Sequence, residues 1–182
     1  MANVVLGTKA QTLERLAPRV QRSQIMPLAW FSAAEWRRDC GAVLLRLRTS
    51  LPSAPWIVRS SARGEDGVGE SMAGAYLSVP DVDPRDDDAV RRAVDRVLAS
   101  YGREADDDQV LVQEQLGAVR LAGVLACRDA ATLSPYRVFN YDDQTASTRS
   151  VTGGTGGHLR TYVRFRGAQQ PYPSPDLEAA FR

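Results

Sequence analysis

Residues 56–74, WIVRSSARGEDGVGESMAG, bring together an arginine at the end of an apolar run, three serines, four glycines and an acidic pair. Glycines let main-chain N–H groups approach phosphate oxygens, the hydroxyls add donors, and Arg59 supplies a fixed two-pronged cation. From composition alone the stretch reads equally as a plain surface loop. The general nucleotide patterns are absent: no GxxxxGK precedes a Ser or Thr, and the glycines do not follow GxGxxG spacing behind a strand.

A second stretch with chemical potential is VTGGTGGHL, residues 151–159, which carries the chain's one histidine, His158. An imidazole titrates near neutrality and can accept a proton or a phosphoryl group. The run Glu104 to Asp108 holds four carboxylates in five positions. It is expected to be a solvated turn rather than a calcium site, because consecutive side chains point in several directions. Cys40 and Cys127 lack CxxC spacing and a nearby histidine, so two buried, reduced thiols are expected rather than a disulfide or zinc site.

With 182 residues, the chain can form one ordinary domain or two small lobes. Its 43% apolar and 25% charged residues are those of a globular protein. A net charge of +1 gives no general reason to expect nucleic acid or an anionic membrane as partner. No run of apolar residues is long enough for a membrane span or a signal segment, and a cytoplasmic location is expected.

The elements that must position these residues follow from periodicity. Leu13, Leu16, Ala17 and Val20 predict a helix from Lys9 that Pro18 ends or bends. Ser32 through Glu35 forms a capping box, with Phe31 and Trp36 at hydrophobic-staple positions. The helix is expected to run on through Cys40, Val43, Leu44 and Leu47, with Arg37, Arg38, Arg46 and Arg48 on its solvated face. A strand at Trp56–Arg59 and another at Tyr76–Val79 flank the glycine-bearing segment. A helix then runs from the Asp86–Asp88 cluster to about Tyr101. Strands are expected at Val110–Glu114, Leu121–Cys127, Tyr136–Tyr141 and Leu159–Phe165. This order argues for an α+β fold with helices packed on a mainly antiparallel sheet. Ser174-Pro175 begins a further helix close to Arg182, which suggests a piece of a longer protein.

VRSSARGEDGVGESMAGAYLSV resembles the nucleotide-binding region of the phosphoenolpyruvate synthase and pyruvate phosphate dikinase family, whose pattern reads VRSSA..ED...aSfAG. GTKAQTLERL is similar to that family's GGKGANLAEL, VLVQEQLGAVRLAGVLACRD to its VVVQ.M....SGV.FTRD, and PYRVFNYDDQTASTRSVTGG to YYVINYDD..GSTDSVTSG. The four stretches stand in the family's order, from Gly7 to Gly154.

The resemblance implies an ATP-grasp nucleotide-binding domain, here partial, with a first lobe over about 1–105 and the start of a second over about 106–182. It places Lys9 and Arg59 on the ATP phosphates. Ser60, Ser71 and Gly74 fall in the phosphate loop, Ser78 is a phosphate donor, and Gln113 lies at the lobe hinge facing the adenine edge. Ordinary surface roles stay open beside these: Lys9 as a solvated first-turn lysine, Arg59 as a structural ion-pair partner and Gln113 as an exposed strand residue. The implied cofactor is ATP with magnesium, whose ligands belong beyond residue 182. The implied parent is an ATP-dependent phosphotransferase acting through a phosphohistidine on a swivelling domain, then on pyruvate or a related acceptor. The alternative is a noncatalytic nucleotide-binding or regulatory module.

Thr8 replaces a family glycine, Leu77 an acidic residue, and Ala126-Cys127 a Phe-Thr pair. His158 has the spacing of the family's phosphocarrier motif, TGGxxSH, but lacks its serine and continues a match to the ATP-binding part. It is therefore expected to be a loop histidine.

Overall fold

A computed structural model describes residues 7–63, 76–103, 105–129, 131–145 and 159–181. Helix α1, Lys9–Leu16, starts at Thr8 through a capping box, Thr8 accepting from the Gln11 N–H while the Gln11 side chain accepts from the Thr8 N–H. It ends two residues before Pro18, as a residue without an N–H requires.

Strand β1, Leu28–Ser32, leads directly into helix α2, Ala33–Arg38. Sequence periodicity missed this strand, because Phe31 and Ser32 read first as the staple and cap of the helix. Both readings hold at once. Ser32 and Glu35 close the capping box at 3.1 and 2.8 Å, and the Phe31 and Trp36 rings stack at 5.3 Å.

The helix expected to run unbroken from Ser32 is broken at Asp39, whose backbone leaves the helical region. Its side chain caps a separate helix α3, Cys40–Ser50, by accepting from the Ala42 N–H at 2.9 Å. A short carboxylate that bonds its own backbone competes with helix continuation. Arg46 pairs with Glu35 at 3.2 Å, and Arg37 and Arg48 pair with Asp106 and Asp87.

Strand β2, Trp56–Ser61, strand β3, Ser78–Val82, helix α4, Asp87–Ala99, and strand β4, Gln109–Glu114, complete the first compact unit. Its sheet is antiparallel in the order β1-β4-β2-β3, with Pro80 on the edge strand, where a missing donor breaks no ladder. One face, carrying Phe31, Val58, Val110 and Val112, is buried against α3 and α4 through Leu44, Leu47, Val90 and Val94.

The second unit has strands β5, Ala122–Ala126, β6, Tyr136–Asp142, and β7, Arg160–Phe165, paired antiparallel in that order, with helix α5 over Pro175–Phe181. Phe139 and Tyr141 pack against Leu177 and Phe181 of α5. The fold is therefore α+β with antiparallel sheets. The units are Met1–Leu116 and Gly117–Arg182. A division near residue 105 was expected, but β4 lies between β1 and β2 and so belongs wholly to the first unit.

Two expectations about side chains are corrected. Cys127 is exposed and Cys40, beside the Arg91 guanidinium, is half-buried, both as free thiols. Within the acidic turn, Asp108 is fully buried, accepting from Arg103 at 2.9 Å and from the Arg63 N–H at 3.1 Å. A carboxylate is kept inside because a guanidinium and a main-chain donor meet it there.

Candidate functional site

The pleat sorts the first unit's polar residues. Strand β2 alternates, with Trp56, Val58 and Ser60 toward the helices, and Ile57, Arg59 and Ser61 on the opposite face. The register then fixes their neighbours: Arg59 lies opposite Ser78 on β3 and Leu111 on β4, Ile57 opposite Gln113, and Ser61 opposite Gln109. Directly opposed residues share a face. Arg59, Ser78 and Gln113, far apart in sequence, therefore stand together.

The contacts follow. Arg59 donates from Nη1 to Gln113 Oε1 at 3.2 Å. Gln113 is only 7% exposed, which removes the alternative of an exposed strand residue. Lys9, in the first turn of α1, reaches the same part of the sheet and donates from Nζ to the Ser60 carbonyl at 3.3 Å. Lys9, Arg59 and Ser78 are each half-buried. Ser60 differs from the expected arrangement: it meets Lys9 through its carbonyl, while its side chain, 1% exposed, sits on the helix-covered face.

Ser71, Gly74 and His158 lie outside the described residues. Leu77 is held by its backbone, its N–H on Ser100 Oγ at 3.2 Å and its carbonyl receiving the Ser60 N–H at 3.3 Å.

Hydrogen bonds that the sequence does not reveal frame the site. Thr8 Oγ1 donates to Gln109 Oε1 at 2.6 Å, and the Ala10 N–H donates to Ser61 Oγ at 2.9 Å, so α1 is pinned by its N-terminus to β4 and β2. Thr8 takes an extended backbone, φ −63° and ψ 166°, which a threonine adopts without strain. The Thr-x-x-Gln pattern at Thr8–Gln11 is a capping signal legible in sequence. The tie to Gln109 is not, because it joins residues 101 positions apart.

This arrangement offers two cations, a hydroxyl and a fixed amide on one sheet face. The donor set suits a polyanion beside a group with hydrogen-bonding edges. Among the described residues, no three His, Cys, Asp or Glu side chains converge as a metal site.

Two clefts among the described residues lie elsewhere. One of about 470 Å³ includes Arg37, Tyr101 and Arg103, and its arginines are already matched by Asp106 and Asp108. The other, of about 440 Å³, lies on the second unit around Asp129, Thr132 and Val163. There the Asp129 carboxyl is held below the usual carboxylate range by hydrogen bonds from the Thr132 hydroxyl and main-chain N–H, which form a local turn. Neither cleft brings together two cations, a hydroxyl and a fixed amide as the sheet face does.

No protein-family model matches the chain, and no curated protein matches it. Among the described residues, no helix is long and apolar enough to cross a membrane.

Proposed function

We propose that the first unit binds ATP on the sheet face that carries Lys9, Arg59, Ser78 and Gln113, and that it is the nucleotide-binding part of a phosphoenolpyruvate synthase-like phosphotransferase with an ATP-grasp fold. The observation that carries the reading is the register. It gathers Arg59, Ser78 and Gln113 from three strands, and a hydrogen bond from α1 brings Lys9 to them, four of the residues that the four-stretch resemblance assigns to ATP.

In this reading Lys9 and Arg59 neutralise phosphate charge, and the Ser78 hydroxyl donates to a phosphate oxygen. The Gln113 amide meets the adenine edge, with its orientation fixed by Arg59. ATP would supply the phosphoryl group for a phosphohistidine on a further domain of the parent, and from there for pyruvate or a related acceptor. Magnesium would be held by residues beyond the described set.

Calorimetric titration with magnesium ATP tests the site. Losing a charge-assisted contact in Arg59→Ala is expected to weaken binding by about 10-fold to 100-fold. Equal affinity in the wild type and the variant would remove Arg59 from the site. Production of AMP by the parent protein supports the phosphotransferase, and turnover to ADP alone excludes the phosphohistidine route.

A second reading, a noncatalytic nucleotide-binding module, is favoured by Leu77, which places an apolar side chain where the family has a carboxylate. ATP binding without any AMP formation by the parent selects it.

A further inference from the structure

Lys9 is the chain's single lysine, every other residue in the count of 23 lysines and arginines being arginine. Its amine is a compact point charge on a flexible four-carbon stem, so its position depends on where the backbone beneath it is fixed. Three hydrogen bonds fix that backbone and that amine. Thr8 Oγ1 reaches Gln109 Oε1 at 2.6 Å, the Ala10 N–H reaches Ser61 Oγ at 2.9 Å, and Lys9 Nζ reaches the Ser60 carbonyl at 3.3 Å.

Ser61 and Gln109 are themselves cross-strand partners in the β2–β4 ladder and are buried, as is Thr8. The shortest of the three bonds is therefore buried and made between two side chains, where water does not compete for either partner. Gln109 lies on the same face as Gln113, two pleats along β4.

We infer that Thr8 and Gln109 form a positioning pair, a buried tie between the start of α1 and β4 that sets the Lys9 amine on the candidate phosphate face. Thr8 thus does what a glycine at that position cannot, supplying a hydroxyl that caps the helix and bolts it to the sheet. The departure from the family pattern strengthens the placement of Lys9. This inference rests on the nucleotide reading only for what the amine is positioned to meet. The positioning itself is independent of any ligand.

Trace acetylation with acetic anhydride, read by peptide mass spectrometry on the full chain without nucleotide, reports Lys9 alone, since the chain's other amine is the N-terminal one and a chymotryptic cut after Leu6 separates the two. Gln109→Met removes the tie and leaves the Thr8–Gln11 cap intact. It is expected to raise Lys9 labelling about threefold to tenfold, the range one lost hydrogen bond produces. Thr8→Val is expected to do the same, Thr8→Ser to restore the wild-type rate, and the double variant Thr8→Val, Gln109→Met to add little to either single change.

Asp39→Ala, which uncaps α3 away from this face, separates general loosening from positioning: it lowers stability and leaves Lys9 labelling unchanged. In parallel, magnesium ATP is expected to bind Gln109→Met about fivefold more weakly than the wild type. Wild-type labelling in Gln109→Met, or an equal rise in Asp39→Ala, overturns the positioning pair. Failure of the wild type to bind ATP overturns the nucleotide reading instead, and the labelling series still decides the pair.

Discussion

Tyr101 shows how a single side chain can join elements. Its hydroxyl donates to the Gln109 carbonyl at 2.5 Å and accepts the Ser61 N–H at 3.1 Å, within the same few residues that hold α1 to the sheet. Both main-chain partners are buried. Tyr101→Phe is therefore expected to cost about 1 to 3 kcal/mol, the penalty for stranding buried polar groups, rather than the smaller worth of one exchanged hydrogen bond. Urea denaturation checks this, and a change of only a few tenths would mean that the carbonyl and N–H find other partners. At the residue scale the sequence was a partial guide. Lys9, Arg59, Ser78 and Gln113 could be named from the resemblance, but Thr8 and Gln109 acquire their roles from partners remote in sequence, and Ser60, expected in the loop, lies in β2 with its side chain buried.

At the scale of elements, end signals were the most legible. The boundaries at Ser32 and Asp86 depend on local hydrogen bonds, and both residues cap their helices as their types predict. The break at Asp39 and the strand Leu28–Ser32 were missed for the opposite reason: an apolar stripe continues through the first, and the second is recruited as a strand by pairing with β4. The capping box at Ser32 also makes a pH prediction. The Glu35 carboxyl is held below its usual range chiefly by the Ser32 N–H, with Arg46 adding to the effect. A lowered folded-state pKa contributes stability that is present above the unfolded value, about 4.3, and lost as pH falls through the lower folded value. Glu35→Gln keeps the box but removes the titration, since glutamine also serves at that position. Its stability, followed by thermal melts, is expected to fall less steeply than that of the wild type below about pH 4.3. Parallel slopes would show that this carboxyl carries no linkage.

At the scale of the whole molecule, two antiparallel sheets with separate cores divide the chain after Leu116. In the second unit, Gly123 lies beneath the Phe139 ring, where an added Cβ would come within 2.4 Å of Cε2 and 2.6 Å of the Asn140 carbonyl oxygen. The strand backbone cannot yield as a long side chain would. Gly123→Ala is expected to destabilise that unit by about 1 to 3 kcal/mol, the range for overpacking, measured by hydrogen exchange at the amides of β6. Unchanged exchange would mean that the ring moves aside at no cost. By itself the sequence determined the α+β class, most of the elements and their caps, because periodicity and capping act over a few residues. Only the tertiary structure decided that Arg59, Ser78 and Gln113 share one sheet face and that Lys9 is brought to it, because register is set by pairing between segments that no local pattern connects.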